Sequence, residues 1–122
     1  MTKINKFHNR KTRGYASARE AARARELQLM EYAGTISNLR EQVPYELVPA
    51  QYESVPRYGK NGKRLRDKRV CVERAVVYRA DFVYTDARGE TVVEDAKGMR
   101  TKEYIIKRKL MLWRHGIRVR EV

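Results

Sequence analysis

Asp81, Asp95 and Lys97 are the residues of this 122-residue chain whose types and spacing could do chemistry. Side chains two residues apart on a strand point to the same face of a sheet, so a strand through Asp95 and Lys97 would place a carboxylate beside an ammonium group. Without chemistry, such a pair is a solvated sheet face that contributes little to stability. The chemical interpretation requires Asp81 to reach the same place from another strand.

The hairpin between the two aspartates decides whether they meet. A three-residue loop at 87–89, with its glycine in the left-handed conformation, is a common way to close a hairpin. It would pair Asp86 with Glu90 and set Asp81 opposite Asp95. Directly opposed carboxylates repel, so the pair needs a cation between them. Oxygen ligands suit Mg²⁺ rather than zinc, and we expect Mn²⁺ to be able to substitute.

The charge of the chain indicates the class of partner. It has 28 Lys and Arg residues against 15 Asp and Glu, a formal net charge of +13, which favours nucleic acid first and an anionic membrane surface second. The chain has no long apolar run, and its basic N-terminus lacks the apolar core of a signal peptide. We therefore expect no membrane partner and a cytoplasmic location, with which the single Cys71 agrees because no internal disulfide can form.

Basic residues fall in three clusters that we expect to contact DNA phosphates, which fixes position and not sequence. The first is a basic flexible arm at 1–16, for which a solubilising tail is the alternative. The second, 57–69, contains an Asn-Gly turn signal and is predicted to be a charged hairpin tip or a flexible loop. The third is the second helix together with the residues directly before it. The predicted DNA contacts are Arg10, Lys11, Arg13, Lys60, Lys63, Arg64, Arg66, Arg100 and Lys102.

The first helix has clear boundary signals. Ser17 and Glu20 match a capping box, in which each would satisfy a backbone donor of the other. Good helix formers follow, and Gly34 is a natural stop. Spacings of four and three put Glu20, Ala24 and Leu27 on one stripe, so Glu20 borders the buried face.

Strand signals fill the middle of the chain. Residues 36–42 are predicted to be a connector and 49–69 irregular. Pro44 predicts that 43–48 is the start of a strand or an edge strand. β-branched and aromatic residues over 70–84 predict one long strand or two. The return strand of the hairpin is predicted at 90–97.

The C-terminal part of the chain predicts a second helix and a final strand. Thr101 can cap a helix over 102–115 that ends at Gly116, and 117–122 alternates as a strand. The apolar stripe of this helix is predicted to be Ile106, Leu110 and Trp113.

The order of these features resembles the PD-(D/E)XK nuclease superfamily. Asp81, a 13-residue gap and then Asp95-Ala96-Lys97 resemble its catalytic signature, with Ala80 where the superfamily name has proline. Glu20 resembles the additional helix glutamate of the Holliday-junction-resolvase branch. The segment LREQVPYEL at 39–47 resembles the entry to the first core strand in phage endonucleases of this type. The resemblance covers roughly residues 15 to 122 and is closest to a small phage-associated family.

The resemblance implies an α/β fold with a PD-(D/E)XK nuclease-like αβββαβ core, in which helices flank a mixed central sheet. It implies a single domain over 17–122 and a homodimer. The implied activity is that of a metal-dependent, structure-selective DNA endonuclease, a Holliday junction resolvase that cuts two strands of a four-way junction symmetrically. No small-molecule cofactor is expected.

The resemblance also assigns roles residue by residue. The implied metal ligands are Asp81, Asp95, the backbone carbonyl of Ala96 and Glu20, the last directly or through water. Lys97 would orient or help deprotonate the attacking water, or stabilise the pentacovalent phosphate. Gln42 would support the site from the neighbouring segment.

Two alternatives stay open. One is another nuclease of the same fold that nicks DNA or cuts flaps. The other is a non-catalytic nucleic-acid-binding protein whose acids form an ordinary salt-bridged face. The sequence has no recognition-helix or base-reading motif, which suits an enzyme that recognises DNA shape.

Overall fold

A computed structural model describes residues 14–122 of the chain. These residues form two helices and six strands. In chain order they are α1 (Ala18–Tyr32), β1 (Ser37–Val48), β2 (Gln51–Tyr58), β3 (Arg64–Glu73), β4 (Val76–Thr85), β5 (Thr91–Asp95), α2 (Lys102–His115) and β6 (Arg120–Glu121).

Four of the strands form one mixed sheet in the order β1-β4-β5-β6. β4 runs antiparallel to both β1 and β5, and β6 runs parallel to β5. Val92 and Val93 of β5 belong to separate apolar clusters, one completed by α1 and the other by α2. Because successive strand residues face opposite sides, the helices cover opposite faces. The expectation of an α/β fold with a mixed sheet and flanking helices is confirmed.

The remaining two strands form a separate antiparallel hairpin, which we call the hairpin arm (residues 51–73). The prediction that 49–69 is irregular is wrong, because β2 and the first part of β3 lie there. All eight β2 residues are exposed, so no alternation of apolar and polar residues marks the strand. The predicted hairpin tip is confirmed, and the Gly59 N–H donates to the Lys63 carbonyl at 2.8 Å across it.

β1 begins earlier than the sequence indicates, at Ser37, so the predicted connector at 36–42 is wrong. Two non-glycine residues in this stretch, Asn38 and Gln42, both have a φ of 53°. These left-handed positions interrupt the regular alternation by which a strand is recognised. Pro44 lies on an edge strand, as predicted, because β1 is at one end of the sheet.

The predicted boundaries of α1 are confirmed, with one change in the cap. The Ser17 hydroxyl accepts a hydrogen bond from the Glu20 N–H at 3.1 Å. The Glu20 carboxylate, however, accepts from the Ala16 N–H at 2.9 Å rather than from the Ser17 N–H of a capping box. Glu20, Ala24 and Leu27 are the buried residues of this helix, as predicted.

α2 has the predicted capping threonine and ends at left-handed Gly116, with a φ of 67°. Its predicted apolar stripe is right only for Leu110, which is half-buried against the core, and wrong for Ile106 and Trp113, which are 58% and 79% exposed. The buried residues are instead Tyr104 and Met111. Apolar residues lie on more than one side of this helix, so periodicity alone could not identify the side that packs on the sheet.

A buried ion pair fixes α1 to the sheet. Nε and Nη2 of Arg23 donate to the two carboxylate oxygens of Glu94 on β5, at 2.8 and 2.7 Å. The Glu94 side chain is fully buried, and the Tyr84 hydroxyl also donates to it. A bidentate pair of this kind is geometrically specific, so it sets α1 relative to the strand that carries Asp95.

Arg23→Ala is expected to lower the free energy of unfolding by about 3 kcal/mol, because it leaves the buried Glu94 carboxylate without its bidentate partner. Urea denaturation measures the change. Arg25→Ala removes an exposed arginine from the same helix and is expected to cost less than about 0.5 kcal/mol. Equal effects of the two substitutions would contradict the role of the ion pair.

Candidate active site

The hairpin register brings the two aspartates together. β4 and β5 pair Phe82 with Glu94, and one further step of this register sets Asp81 opposite Asp95. Gly89 has a φ of 82°, the left-handed conformation on which the predicted three-residue loop depends. The predicted register is therefore confirmed.

The side-chain alternation of β4 reverses at Asp81. Tyr78 and Ala80 belong to the apolar cluster on the α2 side, whereas Phe82 and Tyr84 belong to the cluster on the α1 side. Residues separated by two on a regular strand share a face, so the strand changes its facing between Ala80 and Phe82. This places Asp81 at the transition between the two faces, where groups from both sides can reach it.

Gln42 bridges two of the acids at this transition. The β1–β4 register sets it opposite Asp81, and its φ of 53° is rare for a residue with a side chain. Its Nε2 donates to Glu20 Oε1 at 2.9 Å and to Asp81 Oδ1 at 3.2 Å. The amide therefore links the first helix to the sheet at the site. Strained backbone of this kind concentrates at functional sites.

The surroundings of Asp81 disfavour the charged form of its carboxylate. Its Oδ2 accepts a hydrogen bond from the Ala96 N–H at 2.9 Å. Burial, followed by the neighbouring Glu20 carboxyl, raises the pKa of Asp81 from 3.8 to about 6, against the hydrogen bonds from Ala96 and Gln42. A nearby cation would reverse this effect, because it favours the charged form.

Asp95 has one satisfied oxygen and one unsatisfied oxygen. The Tyr78 hydroxyl donates to Oδ2 at 2.6 Å. Oδ1 is buried and has no hydrogen bond of good geometry within residues 14–122, although Lys97 Nζ lies 3.1 Å away. Burial raises the pKa of Asp95, the charge of Asp81 adds to this, and Tyr78 and Lys97 oppose it. Within the described residues, the Lys97 ammonium group is therefore the close partner of this buried oxygen.

Lys97 is positioned by both its backbone and its side chain. Its N–H donates to the Val122 carbonyl at 3.3 Å, and the Val122 N–H donates to the Asp95 carbonyl at 3.0 Å. Its Nζ lies 4.3 Å from the centroid of the Tyr104 ring, a cation–π distance. α2 thereby holds the ammonium group next to Asp95.

Two open cavities adjoin the site, and Asp81 and Lys97 line both of them. One, of about 450 Å³, lies between β4, β5 and the start of α2. The other, of about 400 Å³, lies between Gln42 and the start of α1. Arg79 and Lys107 line the first cavity, and sequence reasoning did not single them out. Arg79 precedes Asp81 by two residues, a strand spacing that could have indicated it.

The residues fit a hard divalent cation only in part. Within residues 14–122, no group of three or more His, Cys, Asp or Glu side chains is arranged to hold a metal ion. Glu20 is engaged by Gln42 and by the Ala16 N–H. Asp81 and Asp95 nevertheless supply oxygen ligands alone, and the buried Oδ1 of Asp95, 3.1 Å from Lys97 Nζ, accepts no hydrogen bond of good geometry. This donor set suits Mg²⁺ or Mn²⁺.

Comparison with known proteins places the chain in a family without a described activity. The family model described as "Protein of unknown function (DUF1064)" matches residues 5–120. The chain belongs to this family. No curated protein and no solved structure matches the chain. No helix within the described part of this family member is long and apolar enough to cross a membrane.

The predicted DNA contacts that the structure describes are distributed over two surfaces. Those on the hairpin arm are exposed and lie at its distal end, and they are Lys60, Lys63, Arg64 and Arg66. Lys102 is exposed at the start of α2. Arg100 is exposed and bonds Glu121 through Nε at 3.1 Å and Nη2 at 2.8 Å.

The predicted N-terminal arm lies mostly outside the described residues, and so do Arg10, Lys11 and Arg13. Of the predicted arm 1–16, Tyr15 packs against the apolar cluster on the α1 side. The contacts of the domain therefore extend at least two residues N-terminal to Ser17.

Asp81→Asn is expected to stabilise the fold near neutral pH. The raised pKa means that the folded state binds the Asp81 proton more tightly than the unfolded state, so stability from this group is present below pH 3.8 and lost as pH rises through about 6. Removing the charge should raise the free energy of unfolding by about 1 kcal/mol near pH 7, after discounting for solvent screening. Below about pH 4 it should leave the free energy of unfolding unchanged.

Urea denaturation at the two pH values measures this difference. Glu90→Gln removes the same charge from an exposed position of the same hairpin and is expected to leave stability unchanged at both. A gain for Asp81→Asn that is independent of pH would contradict the electrostatic cause.

Proposed function

We propose that this protein is a metal-dependent, structure-selective DNA endonuclease, which hydrolyses phosphodiester bonds at four-way junctions as a dimer. The observation that carries the proposal is the meeting of the half-buried carboxylate of Asp81, the buried carboxylate of Asp95 and the ammonium group of Lys97 beside an open cavity. The net charge of +13 supplies the affinity for a polyanion.

The order of the elements supports the proposal. When the hairpin arm is set aside, the main sheet and its helices follow the order α1-β1-β4-β5-α2-β6. This is the αβββαβ order that the PD-(D/E)XK resemblance implies. Asp81 lies on the second strand of that order, Asp95 ends the third with Ala96 and Lys97 directly after it, and Glu20 lies on the first helix.

The metal ligands would be the carboxylates of Asp81 and Asp95 and the backbone carbonyl of Ala96. Glu20 is linked to Asp81 through Gln42 and would reach the ion directly or through water. The bound Mg²⁺ or Mn²⁺ would supply Lewis acidity and lower the pKa of a bound water.

Lys97 would act on the reacting groups from its position beside Asp95. Its Nζ is held at 3.1 Å from Asp95 Oδ1 and over the Tyr104 ring, so it is fixed in place before DNA binds. A preorganised cation stabilises negative charge as it develops on a phosphate, and it can also orient the attacking water.

Arg79 and Lys107 would bind the backbone phosphates beside the scissile bond. Both line the cavity that contains Asp81 and Lys97. Arg79 Nη1 donates to the Gln42 carbonyl at 3.3 Å, which holds the guanidinium near the site. Contacts of this type position the DNA without reading its sequence.

A dimer follows from the substrate. Symmetric cutting of a four-way junction requires two catalytic centres related by a two-fold axis, and residues 14–122 carry one such centre. A non-catalytic binding protein would have no need to hold two carboxylates where burial raises the pKa of both, which costs stability. This arrangement favours an enzyme.

The wild-type chain is expected to introduce paired nicks into a synthetic four-way junction in the presence of Mg²⁺. We expect no cleavage with a chelator and none of a linear duplex. Denaturing gel electrophoresis of end-labelled strands measures both. Cutting of all substrates would identify a general nuclease, and binding of the junction without cutting would contradict the enzymatic proposal.

Substitutions at the site separate chemistry from binding. Asp81→Asn and Asp95→Asn should abolish cleavage while junction binding survives or tightens, because each removes a negative charge that faces phosphate. Lys97→Ala should lower kcat by about 10²–10³-fold, as loss of one preorganised charge does elsewhere. Glu90→Gln is the control and should cut normally. Near-normal turnover of Lys97→Ala would exclude the role given to that residue.

A further inference from the structure

We propose that the hairpin arm binds unpaired DNA bases, which stack on two tyrosine–arginine pairs along one of its faces. This inference deepens the proposed function, on which it rests for the identity of the nucleic acid. It assigns recognition of branched DNA to a surface outside the catalytic site.

The arm presents its side chains to a partner rather than to a core. All eight residues of β2 and nine of the ten in β3 are exposed. The two strands pair only with each other among the described residues. An isolated two-stranded hairpin is marginally stable in water, so the hairpin arm adds little to the stability of the fold. We infer that its role is to bind a partner.

Two arginines lie over two tyrosines on this arm. The guanidinium carbon of Arg69 is 3.6 Å from the centroid of the Tyr52 ring, and that of Arg64 is 5.5 Å from the centroid of the Tyr58 ring. The tyrosines remain 46% and 61% exposed. A flat base can stack on such an aromatic ring or on the guanidinium plane above it.

The register puts both pairs on the same face. Tyr52 and Tyr58 are separated by six residues on β2, an even number that keeps them on one side. Arg64 and Arg69 are separated by five, which would place them on opposite sides of a regular strand. The register irregularity between Val55 and Arg57 gives β3 one extra residue and corrects this difference. The two platforms lie roughly 20 Å apart along the strand.

The charge of the arm identifies the partner as nucleic acid. Residues 51–73 contain seven Lys and Arg against three Asp and Glu. A second copy of the chain would bring the same excess of positive charge to the interface, which disfavours self-association through the arm. Positive charge tracks the phosphates while aromatic rings take the bases, the combination found in surfaces that bind single strands.

Stacking requires bases whose faces are free. In a linear duplex both faces of each internal base are covered by neighbouring base pairs, whereas single-stranded segments expose them and an opened branch point uncovers the base pairs at its centre. The arm would therefore favour branched over linear DNA without reading sequence. This preference is independent of the carboxylates that perform the proposed chemistry.

The test measures binding of the full-length protein in chelator to fluorescent oligo(dT) and to a blunt duplex. The double variant Tyr52→Ala/Tyr58→Ala should bind oligo(dT) about 10–100-fold more weakly, by loss of base stacking. Its affinity for the duplex should change less than about threefold, because the charges remain. Tyr32→Ala, which removes a tyrosine that is 94% exposed on α1, is the matched control and should bind both as wild type.

Charge and stacking are separated by two further variants. Arg69→Lys keeps the charge but loses the planar group, so it should weaken oligo(dT) binding with the salt dependence unchanged. Lys63→Ala should weaken the binding of both oligo(dT) and duplex. It should also lower the slope of log affinity against log salt concentration by about one. Circular dichroism of each variant checks that the fold is retained.

Two results would overturn the proposal. One is wild-type affinity of the tyrosine double variant for oligo(dT), or equal losses for oligo(dT) and duplex. The other is dissociation of a dimer by the tyrosine substitutions in sedimentation, which would make the arm an interface between copies. Because binding is measured without metal, a chain that cuts nothing but shows the tyrosine dependence would contradict the proposed nuclease and leave the arm's role intact.

Discussion

The site depends on one constraint. The carboxylates of Asp81 and Asp95 are held opposite each other on adjacent strands. Burial raises the pKa of both groups, and the Glu20 carboxyl adds to the rise at Asp81 while the charge of Asp81 adds to it at Asp95, so the fold holds them in place against their electrostatic preference. Hydrogen bonds from Gln42, Ala96 and Tyr78 meet three of the four oxygens. The fourth, Asp95 Oδ1, lies 3.1 Å from Lys97 Nζ, and in the proposed enzyme it would also face the metal on which hydrolysis depends.

The rest of the fold can be understood as support for that arrangement. The Arg23–Glu94 pair fixes α1 against β5, which brings Glu20 to the sheet. Tyr104 of α2 holds the Lys97 ammonium group. In the chain, the hairpin arm lies between β1 and β4, and these two strands nevertheless pair directly in the sheet. The proposed catalysis and the proposed recognition of branched DNA are thus carried by separate parts of one chain.

Local signals in the sequence determined the parts that could be predicted. A left-handed glycine fixes the loop length of a hairpin, so Gly89 sufficed to predict the register around Asp81 and Asp95. Three features could not be predicted. The arm has solvent on both faces and shows no alternation. α2 has apolar residues on several sides, so Trp113 was wrongly assigned to the core. The left-handed backbone of Gln42 arises from tertiary contacts that no local signal encodes.

The most direct measurement of the central claim is an anomalous difference map from a crystal soaked in Mn²⁺. The account predicts a peak between the carboxylates of Asp81 and Asp95, within coordination distance of the unsatisfied Asp95 oxygen and the Ala96 carbonyl, and no such peak in Asp81→Asn. Aspartate side chains that remain free of metal at saturating Mn²⁺, with ions bound only elsewhere on the surface, would contradict it.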